Sequence, residues 1–300
     1  MEAMASTMAA VMQKLQEKVS MMSIDSSNET NKPGETKCPK CNGTEVVFSH
    51  KEKVVTPDYE VEYDINKPCD CRDRNAWGRR FKNALIPEEF VHANLENYEQ
   101  SNENQRAMYE LTTRYLEEFP EDKKTLQKVG AKNLGFTATI GEQRIRALRP
   151  EDRSEIKYKH NNFGIGKTHL QIAIAKQLIK RGFNVLILSD VTFMDEMMAA
   201  KRMDDNNETY NRMLNSVLGA DVLVWDDIGK AKPTEAKEGL YYTIVNERYK
   251  RKQPIIFNTN EDKSTLADRI GYAANSRLLE RGEGEYFVLE TEGIDWRLKK

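Results

Sequence analysis

The chain is expected to fold as an α/β protein, a parallel sheet flanked by helices behind a small metal-stapled N-terminal module. Three observations carry that expectation. Short, almost purely apolar runs (Val185-Leu186-Ile187-Leu188, Val222-Leu223-Val224-Trp225 and Ile255-Ile256-Phe257) alternate with longer helical stretches, the pattern of βα units around a buried sheet. A Gly166-Lys167-Thr168 triplet opens one of those helices, where a phosphate-binding loop belongs. Four cysteines fall in two close pairs, Cys38/Cys41 and Cys69/Cys71.

The 300 residues allow one or two domains. With 31% charged and 39% apolar residues the chain reads as soluble, and a net charge of −2 argues against bulk electrostatic binding to nucleic acid while leaving room for a local basic groove. No apolar run approaches the ~20 residues of a membrane span. The N-terminus lacks a basic region followed by an apolar core, so a cytoplasmic location without a membrane partner is expected.

Residues 1–35 form an N-terminal segment. Met4, Met8, Val11, Met12, Leu15, Val19 and Met22 make one helical stripe, suited either to packing or to docking a partner on flexible thioethers. A polar, turn-rich linker follows.

Residues 36–85 are the metal module. In a cytosolic chain, paired cysteines favour metal over disulfides. Cys38 and Cys41 from a tight knuckle, with Cys69 and Cys71 across a hairpin, complete the tetrahedral set that Zn²⁺ prefers. One residue rather than two separates the second pair, and His50 is an alternative ligand. The stretch 72–84, with Arg72, Arg74, Arg79, Arg80 and Lys82 around Trp77 and Phe81, could track a nucleic-acid backbone or be a solvated helix. Lys201 and Arg202 are a second basic candidate.

Residues 86–126 form a lead-in with a helix over 102–118. Residues 127–160 are the hardest to read. A phosphate loop normally follows a buried apolar strand. The residues before Asn161 are instead charged, and only Phe136-Thr137-Ala138-Thr139-Ile140 offers a strand. The segment therefore reads as an atypical insertion that replaced the first strand, and one origin would be an intervening element of the gene.

Residues 161–300 hold the core. In Asn161-Asn162-Phe163-Gly164-Ile165-Gly166-Lys167-Thr168 the loop pattern G-x-x-x-x-G-K-[ST] is met except that Asn161 replaces the first glycine. Gly164 and Gly166 let the backbone wrap phosphates, Lys167 reaches the β/γ-phosphates, and Thr168 helps hold Mg²⁺. The strand at 222–225 runs into Asp226 and Asp227. Asp226 would share the Mg²⁺, and Asp227 would orient or deprotonate an attacking water. Asn260 ends the next strand, where a polar side chain can meet the γ-phosphate or water; Asn258 is the alternative. The helix with Ser276-Arg277-Leu278-Leu279-Glu280-Arg281 sets two guanidiniums four apart.

In motif order, these residues resemble the AAA+ core of the DnaC/DnaI-type replicative helicase loaders. The lead-in Ile86-Pro87-Glu88-Glu89-Phe90 with Leu95-Glu96-Asn97-Tyr98, and a cysteine module ahead of the ATPase, resemble that family too. The resemblance implies an AAA+ P-loop ATPase using ATP, Mg²⁺ and Zn²⁺. It further implies self-association through the core and loading of a ring helicase on single-stranded DNA. By position, Arg277 corresponds to an arginine finger reaching a neighbour's nucleotide and Arg281 to a sensor arginine within its own subunit. An IstB-type transposition regulator shares this core. A third reading is a non-hydrolysing adaptor for helicase and DNA with a degenerate nucleotide site, so whether ATP is hydrolysed stays open. The family's first strand runs straight into the loop; its loss here would cost sheet pairing, and Asn161 would meet a φ > 0 demand less readily than glycine.

Overall fold

A computed structural model describes residues 38–55, 60–69, 72, 85–283, 287–293 and 295. The stripe at 1–22, the linker behind it, Cys71 and the basic run from Arg74 to Lys82 lie outside the described residues.

The N-terminal module is a two-stranded antiparallel sheet, β1 (Val46–Val55) and β2 (Glu60–Pro68). The ladder starts at Val46 opposite Pro68, so the chain before β1 and after β2 meets at one end. Residues 38–44 turn tightly there, Asn42 donating its N–H to Cys38 O and Thr44 to Cys41 O. Asn42 and Gly43 adopt positive φ of 51° and 91°, a conformation open to Asn and Gly. The turn and ladder together bring Cys38, Cys41 and Cys69 into one cluster.

A 3₁₀ turn, Glu88–Phe90, leads to α1 (Glu103–Glu118) and α2 (Lys123–Val129). Asn102 and Asp122 cap these helices, their side chains accepting the N–H of Gln105 and Thr125. Next come β3 (Leu134–Ala138), α3 (Glu142–Ala147), α4 (Pro150–Lys159) and α5 (Lys167–Lys180). The chain continues through β4 (Val185–Ser189), α6 (Asp190–Ala200), α7 (Glu208–Gly219), β5 (Val222–Asp226) and α8 (Glu235–Lys250). It closes with β6 (Ile255–Asn258), α9 (Lys263–Ile270), α10 (Tyr272–Glu283) and β7 (Val288–Thr291). Among the described residues no helix is long and apolar enough to cross a membrane.

The five later strands form one parallel sheet in the order β4-β5-β6-β3-β7. Counting only these strands, the order is 2-3-4-1-5, with β3 inside the sheet. Both faces are buried. Val185, Ile187, Val222, Val224 and Ile256 pack with α1 and α5 on one side, and Leu186, Leu188, Leu223, Trp225 and Phe257 with α6, α8 and α10 on the other. Burial on both faces explains the near-continuous apolar runs of β4, β5 and β6.

The expectation that the first strand is missing is corrected here. β3 is present, wholly buried, and lies between β6 and β7. The strand candidate at 136–140 overlaps it at Phe136–Ala138, while Gly135 conceals its first half. Gly135 is required by close packing: a Cβ there would lie 2.2 Å from Phe257 Cζ. What separates strand from loop is residues 139–160, folded as α3 and α4. The N-terminus of α3 is anchored on the end of β6, with Gly141 N–H bonded to Asp262 Oδ2 at 2.9 Å and Glu142 N–H to Asn260 O at 2.9 Å.

Candidate nucleotide site

The parallel sheet gathers its functional side chains at the strands' C-terminal ends, where ligands of open α/β sheets bind. The loop before α5 lies there. Gly164 and Gly166 hold positive φ of 63° and 95°, so the two left-handed positions fall on glycines. Asn161 is not among the positive-φ residues, and the concern about an asparagine in the first loop position has no backbone basis. Gly166 is the N-cap of α5, whose first N–H groups and dipole favour an anion.

Lys167 is buried, and its ammonium donates to Asn162 O at 3.1 Å, Thr259 O at 3.0 Å and Asn260 Oδ1 at 2.9 Å. Thr168 Oγ1 donates to Asp226 Oδ1 at 2.8 Å, the contact of a hydroxyl and carboxylate that can share a Mg²⁺. Asn258 Nδ2 also donates to Asp226 Oδ1, at 2.6 Å, while its Oδ1 accepts the Asp227 N–H at 2.7 Å. Burial and the neighbouring Asp227 charge push the Asp226 carboxyl above the usual carboxylate range. A divalent cation would relieve that cost, so the donor set fits a hard metal ion.

Asp227 sits at φ 54°, turned out of the strand. Asn260 Nδ2 donates to its Oδ1 at 3.0 Å and Lys230 Nζ to its Oδ2 at 2.5 Å. Burial alone would lower the Lys230 pKa; the ion pair with Asp227 overrides it and raises the ammonium. The two asparagines thus divide the strand-end carboxylates, Asn258 on Asp226 and Asn260 on Asp227.

The lead-in forms the facing wall. Lys176 of α5 donates to the carbonyls of Phe90, Val91 and Ala93, capping that turn. His169 Nε2 lies 2.8 Å from Asn94 O, and the Tyr98 ring is 5.5 Å from the His169 ring. A Cβ on Gly166 would meet Tyr98 Cε2 at 2.7 Å, so the second loop glycine is needed for space as well as for φ. Between lead-in and loop lies a cavity of about 470 Å³, reaching from Phe90 and Tyr98 past residues 162–169 to Asp227 and Asn260, within the size range of small-molecule sites. A second cavity, of about 270 Å³, shares Asp227, Lys230 and Asn260 and is walled by Glu142 and Arg146 of α3.

The structure therefore brings together Gly164, Gly166, Lys167, Thr168, Asp226, Asp227 and Asn260. Asn161 borders the loop, donating from Nδ2 to Gly293 O at 2.7 Å. Arg277 does not line either cavity; its guanidinium lies 5.3 Å from the Tyr242 ring and donates to Ala273 O at 2.9 Å. Arg281 is on α10, with its side chain outside the described residues. Lys201 and Arg202 are exposed after α6. Asn162, Lys230 and Tyr98 were not singled out from sequence as site residues. Asn162 and Tyr98 act through contacts across the fold, which no local motif marks, whereas Lys230 pairs with Asp227 three residues away.

In the N-terminal module the Sγ atoms of Cys38, Cys41 and Cys69 all lie within 4.8 Å of one another, Cys38 and Cys69 at 3.8 Å. Tetrahedral thiolates at the usual Zn–S length of ~2.3 Å stand roughly 3.8 Å apart, so the set fits Zn²⁺. His50 is not part of the cluster; it lies on β1 with Nδ1 3.2 Å from Ser49 Oγ.

Residues 156–300 match the family model described as IstB-like ATP binding protein. The match begins after β3, as expected where 139–160 part that strand from the loop. The putative ATP-binding protein of insertion sequence IS21 from Pseudomonas aeruginosa is 27% identical over 46% of this chain and 50% of its own length. The replicative helicase loader DnaC of Escherichia coli K12 is 30% identical over 38% of this chain and 46% of its own. The chain thus spans about half the length of these relatives. A crystal structure of the DnaC helicase loader superposes with a TM-score of 0.49 and 22% identity, covering 68% of this chain and 100% of that one.

Proposed function

We propose, on the premise that residues 156–300 form an AAA+ ATP-binding domain of the IstB/DnaC kind, that this chain is an ATP-dependent loader of a ring helicase onto single-stranded DNA. The observation that carries the nucleotide chemistry is the convergence of Lys167, Thr168, Asp227 and Asn260 at one cavity, with Asp226 bonded to the Thr168 hydroxyl behind it. ATP bound there would place its phosphates on the α5 N-terminus and Lys167. Thr168 and Asp226 would hold Mg²⁺, which supplies charge neutralisation on the phosphates. Asp227 and Asn260 would orient the water. In this reading Lys167 leaves Asn260 for phosphate, and Asp227 leaves Lys230 for water.

The thiolate cluster ahead of the domain favours a loader over a transposition regulator, since a cysteine module in that place resembles the DnaI branch. Cys38, Cys41 and Cys69, with Cys71 as fourth ligand, would hold a structural Zn²⁺. Arg277 is assigned to a neighbouring copy's nucleotide and Arg281 to its own, which requires self-association. The family match equally supports the transposition-regulator reading. A non-hydrolysing adaptor is favoured by one feature, the internal bonds that occupy both Lys167 and Asp227.

The test is a pull-down against the ring helicase of the same host or phage, with and without ATP. Retention of the helicase and its delivery to a single-stranded oligonucleotide are expected. Retention of a transposase in its place would assign the regulator role. ATP turnover that is absent despite helicase retention would assign the adaptor.

A further inference from the structure

Asn162 is almost wholly buried, 3% exposed, and its amide uses the same two acceptors as Lys167. Asn162 Nδ2 lies 3.3 Å from Thr259 O and 3.4 Å from Asn260 Oδ1, where Lys167 Nζ lies at 3.0 and 2.9 Å. Its backbone carbonyl accepts from the same ammonium at 3.1 Å. On the other side, Asn162 Oδ1 lies 3.1 Å from the Thr291 hydroxyl, which is also 2.9 Å from Thr137 O and shares one proton between them.

When Lys167 turns to a bound phosphate, Thr259 O and Asn260 Oδ1 lose their charged donor. Thr259 is fully buried, and a buried acceptor without a partner is costly. The Asn162 amide is the donor left in place. By holding Asn260 Oδ1 it keeps Asn260 Nδ2 aimed at Asp227, the orientation the hydrolytic step needs.

We infer that Asn162 is a positioning residue for ATP hydrolysis, holding the Asn260 amide in register once Lys167 has moved to the phosphates. This rests on the ATPase reading above. It separates two states of the molecule. Without nucleotide, removal of the Asn162 side chain leaves every partner served: Lys167 still donates to Thr259 O and Asn260 Oδ1, and Thr291 still reaches Thr137 O. With ATP bound, the same removal leaves Asn260 unheld.

The experiment compares Asn162→Ala, Asn260→Ala and the double variant in the full chain, reading kcat and KM for ATP and the nucleotide-free melting temperature. Asn162→Ala is expected to lower kcat roughly tenfold or more, with KM within about threefold and melting nearly unchanged. On the Asn260→Ala background it should add little further loss, because it acts through that residue. An unchanged kcat, a loss that multiplies with that of Asn260→Ala, or a nucleotide-free chain that melts early or fails to fold would each overturn the inference. An unsubstituted chain that does not turn over ATP would overturn the ATPase reading itself, and this role with it.

Discussion

Gly293 donates its backbone N–H to the carbonyl of Asn161 at 2.7 Å, two residues beyond the last β3–β7 pair, Ala138 with Thr291. In the register of that ladder the partner of Gly293 would be residue 140. Asn161 occupies the position instead, and its side chain returns a bond to Gly293 O at 2.7 Å. Residues 139–160 therefore leave the sheet and come back to where they left it. The phosphate loop starts from a strand position even though the strand is not its covalent neighbour.

The placement of β3 predicts a sharp response at Gly135. Gly135→Ala drives a methyl into the Phe257 ring, at 2.2 Å from Cζ and 2.5 Å from Cε1. Overpacking of this kind costs about 1–3 kcal/mol, read as a lowered denaturation midpoint. Gly239→Ala is the control: it lies in α8 with nothing within 4 Å of the added Cβ, and it should be neutral or stabilise by up to ~1 kcal/mol.

Asp190 predicts a pH dependence. Fully buried, it accepts from Trp225 Nε1 at 2.9 Å, Tyr241 OH at 2.7 Å and Ala231 N–H at 2.8 Å. Burial outweighs those bonds and pushes its pKa up to about 6. The folded chain then holds a proton that the unfolded chain, at ~3.9, has released. Its contribution to stability falls as pH rises through roughly 4 to 6 and is flat above that. Asp190→Asn should remove this slope in the variant-minus-parent difference. It should also cost about 1–3 kcal/mol at pH 7, because an amide nitrogen would face donors. Urea unfolding at pH 4.5 and 7 reads both.

The thiolate cluster predicts one zinc per chain by elemental analysis. Cys69→Ser, at a buried cysteine, should reduce bound zinc well below one per chain. Chelation should unfold the β1–β2 hairpin, seen as lost amide-exchange protection over 46–68, while the five-stranded parallel sheet keeps its protection. Zinc-free protein with an intact hairpin would remove the staple reading.

How much was readable follows from how the residues make their contacts. β4, β5 and β6 announce themselves because both of their faces are buried. The paired carboxylates and the lysine loop are local patterns, as is the cysteine knuckle. β3 was only partly legible: the candidate run 136–140 overlaps it at Phe136–Ala138, but Gly135 interrupts its apolar run, and that glycine is explained only by the Phe257 ring opposite. Asn162 and Tyr98 escaped for the same reason. One meets Thr259, Asn260 and Thr291, the other Gly166 and His169, all distant in the chain. Arg277 was placed only by the resemblance, and in the structure it lies against the Tyr242 ring, lining neither cavity.

The most direct test of the account is ATP binding and turnover by the full chain beside Lys167→Ala and Asp227→Ala. Lys167→Ala should weaken ATP binding at least about tenfold, and Asp227→Ala should leave binding largely intact while lowering kcat by roughly 10²-fold or more. Turnover indifferent to both substitutions would contradict the assignment of this cavity as the nucleotide site.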